Sequence, residues 1–434
     1  MISNRSWRIG LVVIFLLALA VRWTATGLFV GFASPPDASA NPDQLDYEAT
    51  AHQLSLGNGF AVDGEASYFR SPGTSLALAP VYMAAGRSWV AGRLWFGLLS
   101  AATAVALAGV ARQTFDRRTG LVAGLALAFD PAHFTYAMHF VSEVPYALAI
   151  VLAVGLAIAA FRGAAATGHR ALVLGLLAGA AAGAATLART QAAVALPIAV
   201  GLWGLAVSLG RLRGANRGAR TLERQVAVLL AIAAGFAVVV GPWMLRNHRL
   251  FDTFELAGIS GPTFFGAHNE LTFTDPAFCG TWLSNRQLFG ETQPRLGDRA
   301  RSEHGWAEGW SAVRRHAGAV PRLEVCKLQQ LVSVRLETPN RLSRAAFALA
   351  WIVVAPLGAL GLFVACQRDR QATAIAAVPL LVLLAATLIF YGSIRLRHST
   401  EPMLVLFAAG GVTALARRRP VISPVPHIPL IPPN

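Results

Sequence analysis

The chain has few charged residues for its length. Asp, Glu, Lys and Arg together make up 14% of its 434 residues, whereas a soluble globular domain carries about 25%. Hydrophobic residues make up 55%, and the mean hydropathy is +0.52. Apolar runs long enough to cross ~30 Å of hydrocarbon recur along the chain, and each needs about 20 residues as a helix. The composition excludes an ordinary soluble domain and predicts an all-α, polytopic membrane protein.

Lysine is almost absent, since Lys327 is the only one in a chain with a formal net charge of +15. The arginines are scattered among the apolar runs, which argues against a nucleic-acid partner and fits positive residues in cytoplasmic loops. With the N-terminus inside, about ten transmembrane helices place the Arg-rich loops on one side. The predicted spans are 9–31, 94–112, 119–133, 142–161, 171–188, 191–209, 225–245, 344–365, 371–391 and 400–416.

A further apolar stretch, 72–86, would reverse the side of every later loop if it spanned the membrane. We therefore predict a juxtamembrane or re-entrant helix that begins at Pro72-Gly73. The expected organisation is one integral-membrane domain over 1–434, with subregions in chain order. These are a first extracytoplasmic loop with the juxtamembrane helix at 32–93, an extracytoplasmic cap at 246–343 and a disordered cytoplasmic tail at 417–434.

The cap contains two of the three cysteines. Cys279 and Cys326 could pair in an oxidising compartment, and two free thiols are the alternative. Cys366 falls at a cytoplasmic helix end. Within the cap, residues 298–335 are predicted to be helical, in two pieces broken at Pro321.

The first outer loop lacks positive charge. Residues 34–69 include six Asp or Glu and no Lys or Arg, so this loop is expected to face outside. Other outer loops add arginines. Guanidinium groups bind phosphate oxygens bidentately, and a carboxylate can accept a proton from an attacking hydroxyl. Carboxylates beside several arginines therefore favour a site for a phosphate-bearing lipid.

Five segments resemble a known family. Residues 43–51, followed by Gly57-Asn58-Gly59-Phe60 and by Phe69-Arg70-Ser71-Pro72-Gly73, resemble the first outer loop of the GT-C membrane glycosyltransferases. The similarity is greatest to the bacterial branch related to protein O-mannosyltransferases and to the lipid A aminoarabinose transferase. Four later segments are similar in the same order, namely 142–145, 187–191, 241–247 and 395–402.

The resemblance implies a membrane enzyme that transfers a hexosyl or pentosyl group from a polyprenyl-phosphate donor. The acceptor would be a lipid, glycan or protein outside the bacterial inner membrane, and the configuration at the anomeric carbon would invert. Asp43 is the implied general base, and Gln44 stands where the family has Glu. Asp46 is the runner-up because it is adjacent and would be the base in another register of the motif. Glu143 is the implied second acidic residue, although it could only cap a helix.

The resemblance also implies binding residues. Arg70 would bind the donor phosphate, together with Arg395 and Arg397, which would point the same way from a loop or strand. Membrane anchoring by these arginines is the alternative. Further substrate contacts are implied for Tyr47, Arg246, Asn247, His268 and Asn269, with anchoring or a purely structural role as the alternative for the last four.

No cofactor is expected to be required. The histidines lack metal-ligand spacing, Phe69 stands where some relatives have an acidic residue, and arginines can stabilise a leaving phosphate. A divalent metal remains possible but is not favoured.

Two other function classes stay open. One is an O-antigen ligase or polymerase, and the other is a lipid-linked glycan transporter or flippase. Transporters typically show inverted repeats and interrupted helices, and the sequence indicates neither. A non-catalytic relative also stays open, while the early loop with Asp43 and Tyr47 favours the glycosyltransferase.

Overall fold

A computed structural model describes residues 2–39, 41–163, 168–212, 219–284, 287–288, 296–334 and 341–417. Nearly all secondary structure in these ranges is helical, with one antiparallel hairpin of β1 (Ala61–Val62) and β2 (Glu65–Ala66). Nine helices in the described ranges are long and apolar enough to cross a membrane. The expected all-α, multi-pass membrane protein is therefore confirmed. The predicted disordered tail lies outside the described residues from 418 onward.

The helices follow one another in this order: α1 (Asn4–Phe29), α2 (Asp43–Ser55), α3 (Gly73–Ala85), α4 (Trp89–Thr114), α5 (Arg117–Ala128), α6 (Pro131–Ala137), α7 (Glu143–Gly163), α8 (Gly168–Ala188), α9 (Ala195–Leu212), α10 (Ala219–Phe251), α11 (Ser260–Ala267), α12 (Glu270–Thr274), α13 (Asp298–Arg315), α14 (Val320–Val332), α15 (Arg341–Arg368), α16 (Arg370–Ile389) and α17 (Ile394–Arg417). Short 3-10 helices cover Thr190–Val194 and Ala317–Ala319.

The span predicted at 119–133 is two short helices, α5 and α6. Buried Arg22 of α1 donates hydrogen bonds to two carbonyls in the last turn of α5. Asp130 accepts the backbone N–H of His133 and so caps the start of α6. Polar backbone at a helix break is tolerated in a membrane where the protein itself satisfies it. The single span predicted at 119–133 is therefore wrong.

Ion pairs mark the end of the bundle opposite the cap. Asp116 pairs with Arg368 and Arg417, and Arg162 pairs with Asp369. These contacts join the start of α5 to the ends of α15 and α17, and the end of α7 to the start of α16. Residues from four of the segments predicted to share one side of the membrane, namely 112–118, 162–170, 366–370 and Arg417, therefore meet at one end.

The predicted non-spanning helix is α3, which has 13 residues and is about 20 Å long. It packs against α2 and α4 at the cap end. A Cβ atom on Gly73 would lie 2.4 Å from the amide nitrogen of Ala188. Only a glycine therefore lets α3 begin this close to the end of α8, where residues of the site described below are found.

The cap begins after α10, which continues to Phe251. It contains α11 to α14, and α13 and α14 are the two predicted helical pieces, with Pro321 in the first turn of the second. Cys279 and Cys326 form a disulfide. The carboxylate of Asp298 accepts hydrogen bonds from the Ser67 hydroxyl and from two backbone N–H groups of the first loop. The cap is thereby docked beside Arg70.

Candidate active site

Three carboxylates and three guanidinium groups alternate in one network at the cap end of the bundle. The contacts, in order along the network, are Arg70 Nε to Asp46 Oδ2 at 2.8 Å, Arg70 Nη2 to Asp43 Oδ1 at 2.9 Å, Arg395 Nη1 to Asp43 Oδ2 at 2.9 Å, Arg395 Nε to Glu143 Oε1 at 2.6 Å, and Arg189 Nη1 to Glu143 Oε1 at 2.8 Å. Each guanidinium is neutralised by a carboxylate, so the network carries no net charge.

Helix ends position the acidic residues. Asp43 and Asp46 lie in the first turn of α2, where negative charge complements the helix dipole. Their spacing of three residues puts them on one face of the helix, towards Arg70 in the loop before α3. Glu143 is the first residue of α7 and is 3% exposed.

The network borders a polar cavity of about 160 Å³. Asp43, Tyr47, Arg70 and Arg395 line it, and Asp46 does not. Tyr47 is buried, and burial raises the pKa of its phenol above the usual value. The phenol therefore stays protonated at neutral pH and can donate a hydrogen bond.

A second cavity is apolar and has a volume of about 480 Å³. It lies between α7, α8, α9, α10 and α16, where alanines such as Ala182 and Ala199 leave space open. The helices α8 and α16 line both cavities: the apolar one through the middle of α8 and the first half of α16, and the polar one through or next to their last residues. An elongated apolar chain in this groove would therefore point towards the ion-pair network.

Arg189 belongs to the network although the sequence did not assign it a role. It follows the last residue of α8, contacts Glu143 and donates to the Ser142 hydroxyl at 3.2 Å. The available signal was its place in one of the five similar segments, directly after an apolar run. The described residues contain no group of three or more His, Cys, Asp or Glu arranged to hold a metal ion.

Arg397 is not part of the network. The helix α17 already begins at Ile394, and successive residues of a helix are rotated by about 100°, so Arg395 and Arg397 point to different sides. Arg397 donates to the carbonyls of Leu331 and Ser333 at 2.8 and 2.9 Å. The expectation that the two arginines point the same way is wrong, because it assumed a loop or strand.

Arg246 and Asn247 also lie away from the network. Arg246 donates to the carbonyls of Ser67 and Phe60, and Asn247 donates to the carbonyl of Glu255. These bonds attach the end of α10 to the first loop and to the start of the cap, which is the structural alternative for both residues.

His268 and Asn269 lie inside the cap. Asn269 caps α12, with its side chain accepting the N–H groups of Leu271 and Thr272. Buried His268 contacts Lys327 through Nε2 at 3.0 Å. Neither residue lines the polar cavity.

No protein-family model matches the sequence, and no curated protein matches it either. Among solved structures, the fold is similar to the archaeal oligosaccharyltransferase AglB from Archaeoglobus fulgidus. The complex of AglB with an inhibitory peptide and a dolichol-phosphate aligns with a TM-score of 0.55 and 13% identity, over 95% of this chain and 50% of that one. The form tethered with an acceptor peptide containing the NVT sequon gives 0.58 and 13%, over 96% and 50%.

At 13% identity, this likeness concerns the fold. The chain spans about half the length of the AglB structures that it matches. ArnT from Cupriavidus metallidurans in the apo state aligns over 93% of this chain and 77% of that one at 14% identity, with a TM-score of 0.41 that is too low to bear on the fold.

Proposed function

We propose that this chain is a glycosyltransferase that moves a hexosyl or pentosyl group from a polyprenyl-phosphate donor to a lipid, glycan or protein. The site would face the outside of a bacterial inner membrane. The observation that carries the proposal is the ion-pair network beside the polar cavity. Two helices that line this cavity, α8 and α16, also line the apolar groove. The fold supports it, because AglB, whose membrane fold is similar, has been solved with a dolichol-phosphate.

The donor phosphate would bind to Arg70 and Arg395. Each of them shares its guanidinium between two carboxylates, and both contact Asp43. A phosphate oxygen competes for the same N–H donors. Binding of the donor would therefore release Asp43 from at least one arginine while Asp46 and Glu143 keep hold of the guanidinium groups. Arg189 adds a third positive charge next to the same cavity.

The lipid tail of the donor would occupy the apolar groove. Its walls are mostly alanine and larger aliphatic or aromatic residues from five helices, with Arg370 and Gln371 at the start of α16. A polyprenyl chain gains free energy by leaving water or by filling such a gap. With the tail between α8 and α16, the phosphate would lie where these helices meet Arg189 and Arg395. The positions of tail and phosphate thus agree with one bound lipid.

The chemical step needs a base and a stabilised leaving group. A hydroxyl oxygen of the acceptor attacks the anomeric carbon, and its proton passes to the released carboxylate of Asp43. The bond from the anomeric carbon to the phosphate oxygen breaks, and its electron pair leaves with the polyprenyl phosphate. Arg70 and Arg395 stabilise that charge. In-line attack inverts the configuration, and Asp46 is the weaker candidate for the base because it does not line the cavity.

Sugar transfer in membranes tests this proposal. Wild type is compared with Asp43→Asn and Asp46→Asn, using radiolabelled polyprenyl-phosphate sugars. Asp37→Asn is the matched control, since Asp37 lies in the same loop and its carboxylate accepts its hydrogen bonds from Ser39, outside the network. We expect Asp43→Asn to lower the rate by ~10²-fold or more. A loss with Asp46→Asn alone would move the base to Asp46, and activity surviving both substitutions would overturn the mechanism.

A further inference from the structure

The segment 390–393 joins α16 to α17 and forms part of the polar cavity. Phe390 and Tyr391 line the cavity, and Arg395 follows in the first turn of α17. The cap also contacts this segment, at Gly392. We propose that Lys327 and the Cys279–Cys326 disulfide form a clamp that fixes the segment and thereby positions Arg395. Only the effect on donor binding rests on the proposed function.

Lys327 is the only lysine of the chain, and it is fully buried in α14. Its ammonium contacts Glu324 Oε1 at 2.7 Å, the carbonyl of Leu388 at 2.8 Å and His268 Nε2 at 3.0 Å. Three partners match the three N–H donors of an ammonium group, as a buried charge requires. The bond to Leu388 satisfies a carbonyl in the last turn of α16, where a positive charge complements the helix dipole.

His268 completes this arrangement in its neutral form. An ammonium group can only donate, so Nε2 of His268 must accept. The proton is then on Nδ1, which donates to the carbonyl of Phe264 at 2.9 Å. Burial, together with the charge of Lys327, lowers the pKa of His268 to about 4. The imidazole is therefore neutral at pH 7 and able to hold Lys327 in place.

The disulfide fixes the second contact with the segment. The backbone N–H of Gly392 donates to the carbonyl of Gly280 at 3.0 Å, directly after Cys279. Gly280 has φ +76°, and a Cβ atom there would lie 2.5 Å from the carbonyl carbon of Cys326. A Cβ atom on Gly392 would lie 1.9 Å from the carbonyl oxygen of Lys327. The two stretches of the cap that the disulfide links therefore both pack against the backbone of the segment.

This packing fixes the backbone position of Arg395. The N–H of Arg395 donates to the Ser393 hydroxyl at 3.1 Å, so the residue is tied to the clamped segment. Its guanidinium reaches Glu143 at 2.6 Å and Asp43 at 2.9 Å. A displacement of the segment by about 1 Å would take these contacts beyond hydrogen-bond range. Lys327 is thus a positioning residue that does not touch the cavity.

Two ligand-free measurements test the clamp on the purified full chain. Amide hydrogen exchange reports the Gly392 N–H, and phenylglyoxal modification, followed by mass spectrometry, reports whether Arg395 is paired. We expect Lys327→Met to raise both rates about tenfold. The double variant Cys279→Ala/Cys326→Ala should do the same. Glu324→Gln is the matched control, because it alters one partner of Lys327 and leaves the bonds to Leu388 and His268.

The outcomes are distinct. Unchanged exchange and modification in both Lys327→Met and the cysteine variant would overturn the clamp, as would an equally large change in Glu324→Gln. If either variant fails to fold, the folded wild type is treated with dithiothreitol. This reagent is oxidised to its cyclic disulfide while Cys279 and Cys326 are reduced to thiols. No rise in either rate after complete reduction would also overturn it.

Binding of farnesyl phosphate in detergent micelles separates this inference from the proposed function. No binding by the wild type counts against the proposed function alone, because exchange and modification need no ligand. If the wild type binds, about tenfold weaker binding by Lys327→Met supports the positioning role. If Lys327→Met binds farnesyl phosphate as tightly as the wild type and phenylglyoxal does not modify its Arg395, the positioning role is overturned.

Discussion

The Nε atom of Arg395 lies 2.6 Å from Oε1 of Glu143, although 252 residues separate them in sequence. The same carboxylate oxygen also accepts Arg189 at 2.8 Å. The starts of α7 and α17 and the end of α8 are therefore joined by one buried carboxylate. Removing one member of a buried ion pair leaves its partners without compensation, which costs more than the pair itself contributes.

Glu143→Gln is expected to destabilise the protein. The substitution leaves Arg189 without a carboxylate and Arg395 with Asp43 only, so we expect about 3 kcal/mol less free energy of unfolding. Thermal unfolding in detergent, followed by circular dichroism, measures the effect. Glu65→Gln, on the exposed strand β2, is the control. A variant as stable as the wild type would show that Glu143 does not hold the site together.

The two arginines of α17 are expected to differ in effect. Arg395→Gln should raise the KM for the donor at least about tenfold, because a charge-assisted bond to phosphate is lost. Arg397→Gln should leave that KM within about twofold and instead lower the free energy of unfolding by about 1–3 kcal/mol, since the carbonyls of Leu331 and Ser333 lose their donor. Donor titrations and thermal unfolding of both variants decide. Equal effects of the two on KM would contradict the geometry described here.

Arg395 and Arg397 show how much of the site the sequence predicts. The similar segments identified Asp43, Arg70, Glu143 and Arg395, and these four residues do meet. They could not show that a helix starts before Arg395, because helix limits depend on packing, here of α14 against α17. The orientation of Arg397 was therefore predicted wrongly.

Tertiary contacts explain the other differences. Asp130-Pro131 in an apolar run does not reveal that Arg22, about a hundred residues away, satisfies the break between α5 and α6. Composition and hydropathy predicted α3 and, in the described ranges, the nine helices that are long and apolar enough to cross a membrane, because each depends mainly on its own residues. The role of Lys327 depends on two distant segments and was not predictable from its neighbours in sequence.

The stability of the cap is expected to depend on pH. His268 has a pKa of about 4 in the folded protein, lowered by burial and by Lys327, against about 6.5 when unfolded. The unfolded chain therefore takes up a proton first as the pH falls. This group's contribution to stability is present above pH 6.5 and is lost between about pH 6.5 and 4.

His268→Gln tests this dependence. Glutamine can still accept a hydrogen bond from Lys327 but does not titrate, so the variant should lose less stability than the wild type between pH 7 and 5. His304→Gln, exposed on α13, is the control and should keep the slope of the wild type. Thermal unfolding across this range is the measurement. Identical slopes for wild type and His268→Gln would exclude His268 as the titrating group.

The volume of the apolar groove is expected to affect the binding of lipid phosphates with long tails and not of those with short tails. Ala182 lines the groove on α8, whereas Ala184, two residues later, is exposed on the outer surface of the same helix. We expect Ala182→Phe to weaken the binding of undecaprenyl phosphate about tenfold, as steric exclusion from an apolar pocket typically does. Isopentenyl phosphate has a five-carbon tail that is shorter than the ~9 Å between Ala182 and Ala188 along α8, so its affinity should equal that of the wild type. Ala184→Phe should change neither affinity. Equal loss for both lipids would place the phosphate, not the tail, next to Ala182, and no loss for either would exclude the groove as the site of the tail.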